Sequence, residues 1–462
     1  MQYLMPGFRR GRISETARRR FASLGGLANP ALPFALAFLI LTPTAFAADA
    51  PQKPLTLADA VALSLKQNPN LGAVREDLPA ALARLRMAQA EGKLTASATA
   101  FLSTGTMPSM LAGPSSVMPT MTVDVPPDSN ADLNGFLMYP LFTGGRVQSR
   151  SAAAGARVRG TRSDIEVMVL DTAYAVRAAY WKVLLNREML KVAQENLTEQ
   201  RERLRVDTAS EQAGKIPAYY VLRDKAEVAD ASQSTTNAAR DVETALLDLR
   251  VAIGLPSATP LDLSDKLLYE PTAPNLDVPA AVAAALKKRP EALSKSAAID
   301  AARREVRARR AAYQPQVNAM LMADGIATEG STSAGYTLGV VAALPILDGG
   351  SRSAEVAEAE AMLRRSEQEA RAVDLEVERQ VRTALLNLTA AEQNVRTAME
   401  GVASAQEDYR VAVVRYQAGK AINLEPLAAL ASLVKAKTNL AQALFEHNLA
   451  RDSFARAEGE LP

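Results

Sequence analysis

Cysteine is absent from this 462-residue chain, and histidine occurs once, at His447. One copy of the chain can therefore form no disulfide, present no thiolate and build no cysteine-containing zinc site or paired-histidine metal motif. An N-terminal lipidated cysteine is excluded as well. Aromatic residues make up only 5% of the chain, too few for a bulky globular core, whereas alanine is abundant and suits the close approach of long helices. No nucleophile-elbow sequence occurs, and the many carboxylates show no distinctive spacing. These absences point away from an enzyme and predict no catalytic residue, cofactor or bound metal.

The N-terminus carries Arg9, Arg10, Arg12 and Arg18 to Arg20, then the apolar run Ala31 to Leu41, then Ala45-Phe46-Ala47. A basic region, an apolar stretch and an A-x-A site make an export signal, so residues 1–47 are expected to be removed and 48–54 to form a linker. Arg18-Arg19-Arg20-Phe21 faintly matches a twin-arginine signal, but an ordinary basic leader explains it as well. Cleavage takes away six Arg and one Glu, turning a net +2 into −3 and leaving no basic excess for nucleic acid.

What is present is a repetition. Tyr139-Pro-Leu-Phe-Thr-Gly-Gly-Arg146, Ala213-Gly214-Lys215 and Ile253-Gly254 return 205 residues later as Leu344-Pro-Ile-Leu-Asp-Gly-Gly350, Ala418-Gly419-Lys420 and Gly459. An unchanged offset at three landmarks means two segments of equal length, over about 146–213 and 351–418. Neither contains a proline. A helix of that length spans roughly 100 Å, too long for one globular core. Val176, Val183, Leu190, Leu197 and Leu204 are spaced by seven. Their counterparts are Val381, Leu388, Val395, Val402 and Tyr409, interleaved with Ala384, Ala391, Ala398 and Ala405. Large residues alternating with alanine predict coiled-coil-like packing. Gly214 and Gly419 supply the left-handed turn at each helix end, with shorter helices returning over about 218–252 and 424–457.

Ahead of each long helix the hydrophobic period changes to two. Residues 95–104 and 132–142 read as strands in the first copy, and 316–323 and 335–344 in the second. The long loop 105–131 joins the first pair and the shorter loop 324–334 the second. Helices over about 56–68 and 69–91 precede the first pair, and Leu276 to Pro290 aligns with Leu55 to Pro69. The repeats are thus expected over 55–275 and 276–462. A strand of about ten residues crosses a bilayer when tilted. Four strands cannot close a barrel, and lipid tolerates no open edge; two copies would bring eight strands and three would bring twelve. The reading is an oligomeric conduit with an all-α body. Its rival is a non-conducting periplasmic coiled-coil spacer, which has no use for alternating strands.

In order and spacing these elements resemble the TolC-type outer-membrane efflux proteins, the outer membrane factors. The match is carried by Leu55-Thr-Leu-Ala-Asp-Ala60 with Asn68-Pro69 and by the paired Gly-Gly turns. Tyr180-Trp181, Val192-Ala-Gln-Glu-Asn-Leu197 and Arg415-Tyr-Gln-Ala-Gly-Lys420 add to it. The resemblance covers nearly all of the mature chain. It implies a mainly α fold with a small membrane β part: a homotrimeric twelve-stranded β-barrel in the outer membrane of a Gram-negative cell, continued by a periplasmic α-helical barrel. It also implies a passive exit duct for efflux or type I secretion, working with a periplasmic adaptor (membrane fusion) protein. An inner-membrane transporter of RND, ABC or MFS type would feed it. Departures from the family pattern are the missing lipidated cysteine, Lys93-Leu94-Thr95 in place of a proline before the first strand, and a Pro- and Met-rich first loop.

The resemblance places Glu425 at the periplasmic constriction, where three copies would form a ring of like charge. Its alternative role is that of a first-turn carboxylate favoured by the helix dipole. Tyr220, the equivalent first-copy position, either lines the constriction or packs between helices. Gly214, Lys215, Gly419 and Lys420 are expected at adaptor-docking hairpin tips, with the glycines serving equally as turn residues and the lysines as helix C-terminal charges. Pro140, Gly144, Gly145, Pro345, Gly349 and Gly350 are expected to form strand-to-helix turns. Met107, Met110, Met118 and Met121 offer thioethers of the kind that suit Cu(I), but an exposed loop is the ordinary reading. His447 alone is no ligand set, and Tyr180 and Trp181 are expected to pack.

Overall fold

The computed structural model describes residues 54–103, 109–111, 121–123, 130–271, 277–328 and 331–460. The expected leader, nearly all of the linker, and Met107 and Met118 lie outside them. The first copy contains α1 Leu57–Gln67, α2 Pro69–Arg75, α3 Asp77–Ala90, β1 Thr95–Ser103, the short pair β2 Ser109–Leu111 and β3 Met121–Val123, β4 Asn130–Phe142, α4 Arg146–Gln212 and α5 Ala218–Ile253. The second contains α6 Val278–Lys288, α7 Pro290–Arg310, β5 Gln316–Thr328, β6 Ser331–Ala343, α8 Ser351–Gln417 and α9 Leu424–Glu458. Helices α4 and α8 each have 67 residues.

Local chemistry accounts for the short helices. Thr56 caps α1, accepting from the Asp59 N–H at 3.1 Å. Asn68 ends α1 and opens α2: its Oδ1 accepts from the Asn70 N–H, and its amide donates to Ala252 O at 2.8 Å. The single helix expected over 69–91 is broken at Glu76. Pro79 explains the break, because it has no N–H for the Arg75 carbonyl and its ring crowds that oxygen.

The sheet runs β1-β4-β5-β6, every pair antiparallel. Strands β5 and β6 overrun the expected loop at 324–334 and leave only residues 329 and 330 between them. Polar Asp324 and Ser331 to Ser333 suggested a loop, yet the period of two continues through them and Asp324 pairs with Gly335. Alternation and register divide the strands into two faces. One carries Thr95, Ser97, Thr99, Asp132, Asn134, Asn318, Asp324 and Thr337. The other carries Ala96, Ala98, Leu102, Leu133, Leu137, Tyr139, Leu321, Tyr336, Leu338 and Val340, and no charged or amide side chain among the described residues. Strands β1 and β6 are each paired on one side only.

Two matching cores lie along the long helices. In the first, Val176, Tyr180 and Val183 pack on Leu246, Leu249 and Ile253 of α5 and on Leu55 and Val61. In the second, Val377, Val381 and Leu388 pack on Phe454 of α9 and on Ala281 and Ala285. Val176 and Val183 precede Val381 and Leu388 by the repeat offset, and all four are buried. Trp181 and Arg177 donate to the two oxygens of the buried Asp452 at 2.6 and 2.8 Å, tying α4 to α9. No described helix is long and apolar enough to cross a membrane.

Gly144, Gly145, Gly349 and Gly350 all have left-handed backbone between strand and helix. Pro140 lies inside β4, where the register shifts, and Pro345 lies just past β6. At Gly144 a Cβ would sit 2.5 Å from the Gln314 Cβ, whereas at Gly349 it would meet nothing within 4 Å. Both Gly→Ala variants carry the left-handed penalty of about 1–2 kcal/mol. Gly144→Ala adds the clash, so its melting temperature is expected to fall clearly below that of Gly349→Ala. Equal melting temperatures would mean that the loop yields.

Candidate functional site: the paired helix turns

Helices α4 and α8 end in the same hydrogen-bonded turn. Gly214 has φ +69° and Gly419 φ +70°. In the first turn the Gly214 N–H donates to Glu211 O and the Lys215 N–H to Ser210 O; in the second, Gly419 donates to Tyr416 O and Lys420 to Arg415 O. These paired bonds are the Schellman pattern, which satisfies the last helical carbonyls and needs a left-handed residue. A Cβ at either glycine would meet open space, so backbone conformation alone selects glycine there. Lys215 and Lys420 follow, both exposed.

Glu425 stands in the first turn of α9, half-exposed, with Oε2 3.4 Å from Arg415 Nη1. Its charge is thus shared across the hairpin rather than held alone. Tyr220, in the first turn of α5, packs edge-on against Tyr219 with ring centroids 4.5 Å apart. Among the described residues no hydrogen bond or ion pair joins Tyr220 to Glu425.

A buried polar network lies about 10 Å up α4 from its turn, at residues that the spacing argument passed over. Asp207 of α4 and Asp224 of α5 are almost wholly buried. The Tyr416 hydroxyl of α8 donates to Asp207 Oδ1 at 3.0 Å, and the Asn423 amide, at the head of α9, donates to Oδ2 at 2.8 Å. Arg203 donates to Asn423 O at 2.7 Å and places Nε 3.4 Å from Asp224 Oδ1. No N–H or hydroxyl completes a hydrogen bond to either Asp224 oxygen. Burial, reinforced by neighbouring Asp207, pushes the Asp224 carboxyl up to about 6, against the pull of Arg203. A proton on the Asp224 carboxyl removes one of the two like charges that the site would otherwise bury. Burial and the bond to Asp207 likewise push the Tyr416 hydroxyl well above its ordinary range.

One cation, two acids, an amide and a phenol therefore bind hairpin α4/α5 to hairpin α8/α9 close to their turns. The network breaks the repeat symmetry: 205 residues on, Asp207 and Asp224 are matched by Ala412 and Ala429, both buried. A signal for it exists in the sequence. Asp207 follows Gln200 by seven residues and Asn186 by twenty-one on the inner seam, where Ala412, Ala405 and Ala391 stand in the second copy. A polar residue on an otherwise apolar seam needs a partner.

Comparison with known proteins identifies this architecture. A model of the outer membrane efflux protein family matches residues 60–255 and 281–459. The chain belongs to that family. It is 27% identical over 326 residues to the outer membrane efflux protein BepC of Brucella suis biovar 1 (strain 1330), covering 68% of each chain. The fold is similar to that of the Campylobacter jejuni CmeC outer membrane channel, with a TM-score of 0.75, 16% identity, and coverage of 87% of this chain and 85% of that one. It is also similar to the open-state MtrE outer membrane channel of Neisseria gonorrhoeae, with a TM-score of 0.71, 19% identity, and coverage of 88% and 89%. This efflux protein is thus an exit channel of the Gram-negative outer membrane that reaches into the periplasm, and it is not an enzyme. Its described part combines membrane strands with a helical body, and the hairpin turns lie at the end of the long helices away from the sheet.

Proposed function

We propose that three copies of this chain close into one duct, with the uncharged sheet face against lipid and the polar face around water. The observation that carries this reading is the four-stranded sheet with two bare edges and one wholly uncharged face. Bare edges are not tolerated in lipid. Eight strands from two copies enclose a space that side chains fill, whereas twelve from three leave a lumen. The long helices then continue the lumen through the periplasm as a helical barrel, fed by an inner-membrane transporter of RND, ABC or MFS type. Exposed Lys215 and Lys420 present the turns to a periplasmic adaptor. The two repeats, 55–275 and 276–462, supply alternate wall units.

The absence of native cysteine provides the test. Cysteines placed at Thr99 on the β1 edge and Thr337 on the β6 edge are expected to cross-link copies into a covalent trimer in outer-membrane fractions. A chain that stays monomeric in the membrane, or gives no discrete conductance in planar bilayers, would overturn the duct. At the periplasmic end we infer that Glu425, with Tyr220 nearby in the closed ring, narrows the entrance. Glu425→Ala is expected to shift cation selectivity or resting conductance. If both stay at wild-type values, Glu425 has no part in the constriction.

A further inference from the structure

All three methionines of the four-stranded sheet lie on its polar face. Met138 of β4 stands directly opposite Met320 of β5, and Met322 follows on the same face, opposite Phe136. Opposed side chains on one sheet face begin with Cβ atoms about 4.5–5.5 Å apart, and diagonal ones about 7–8 Å. Three long, flexible thioethers with those origins can converge on one point between β4 and β5. Phe101, Phe136, Ile326 and Val341 share this face, and among the sheet's described residues methionine occurs on it alone. The uncharged face meets its need for apolar surface with Ala, Leu, Val, Gly and Tyr and contains no methionine. Val or Ile would suit a strand better than methionine, and all three are only partly buried.

Seven of the twelve methionines that follow the leader fall within 95–142 and 316–343, the other four being Met107, Met110, Met118 and Met121. Thioether sulfur is a soft ligand that selects Cu(I)-like ions, and this chain has no thiol to compete with it. Phe136, beside Met322, adds a ring face that attracts a cation. Asp132 and Asp324, further along the same face, add negative charge.

We propose that Met138, Met320 and Met322 form a three-thioether site for a soft monovalent cation, Cu(I) or Ag(I), one in each chain. Its ligands come from a single copy. It rests on the proposed duct only in taking the polar face to line water.

The test uses the full chain in detergent, with Cu(I) titrated against a chromophoric chelator and the bound metal examined by X-ray absorption. One Cu(I) per chain is expected, with a shell of three sulfurs. Met138→Leu, Met320→Leu and Met322→Leu should each weaken binding by more than about tenfold, as loss of one of three soft ligands requires. Replacing Met107, Met110, Met118 and Met121 together with Leu should leave the affinity unchanged. Leu for Met conserves volume, so the fold is expected to survive; circular dichroism of each variant checks this. Unchanged binding by the triple strand variant, or no Cu(I) held by the wild-type chain, would overturn the site. Trimers without metal would remove this site alone; metal bound to a chain that never forms trimers would remove the duct alone.

Discussion

Arg203→Ala is expected to lower the stability of the paired hairpins by about 3–5 kcal/mol, the cost of leaving a buried charge without its partner. Arg203 is the cation that faces Asp224, and with Asp207 beside it the variant buries two acids with no cation to balance them. It also releases Asn423, which Arg203 holds through the backbone carbonyl. Loss of hydrogen-exchange protection should therefore centre on 203–224 and 416–427 and spare the mid-helix cores. The double variant Arg203→Ala/Asp224→Ala should recover part of the loss, because the uncompensated charge goes with the cation. A single variant as stable as wild type would show that the network holds nothing together.

The same site carries a pH dependence with a definite sign. The Asp224 carboxyl titrates higher in the folded protein, at about 6, than in the unfolded chain, at about 3.9. The folded form therefore binds the proton more tightly, and this contribution is complete below about pH 4. It is lost as pH rises through about 6 and stays flat above that. Against wild type, Asp224→Asn should remove that slope from the exchange rates of the hairpin tips. An unchanged slope would assign it to another group.

Asp452→Ala carries the second large effect, also about 3–5 kcal/mol, in the body of the helical wall. Asp452 is buried and receives both the Arg177 guanidinium and the Trp181 indole N–H. Alanine strands the cation and the indole donor together, each in a site with little water. Asp452→Asn keeps an acceptor for one of them and should cost less. Thermal unfolding and near-ultraviolet circular dichroism of the single tryptophan are suited to the comparison, since Trp181 is the only such chromophore in the chain. A melting temperature for Asp452→Ala near that of wild type would show that water satisfies both donors.

Much of this fold was legible before any coordinates. The 205-residue offset marks two long helices of equal length because Gly214 and Gly419 are the only residues at those places that turn left-handed freely. Heptads mark the seam because valine and leucine at spacing seven can be buried only by another helix. Other features misled for local reasons. Polar Asp324 looked like a loop residue because polarity alone cannot distinguish a loop from a strand with one wet face. Pro79 was hidden inside a good helical pattern, yet it interrupts the helix one turn earlier.

By itself, then, the sequence determined the element types, the duplication and the turns, since these depend on residues a few positions apart. The site depended on much longer separations. Asp207 meets Tyr416 and Asn423 across more than two hundred residues, and Met138 meets Met320 only through the register of β4 against β5. No local spacing encodes such meetings. Burial made the difference: a charge on a helix seam signals in the linear chain only that it needs some partner, and becomes a latch when the packing of four helices takes its water away.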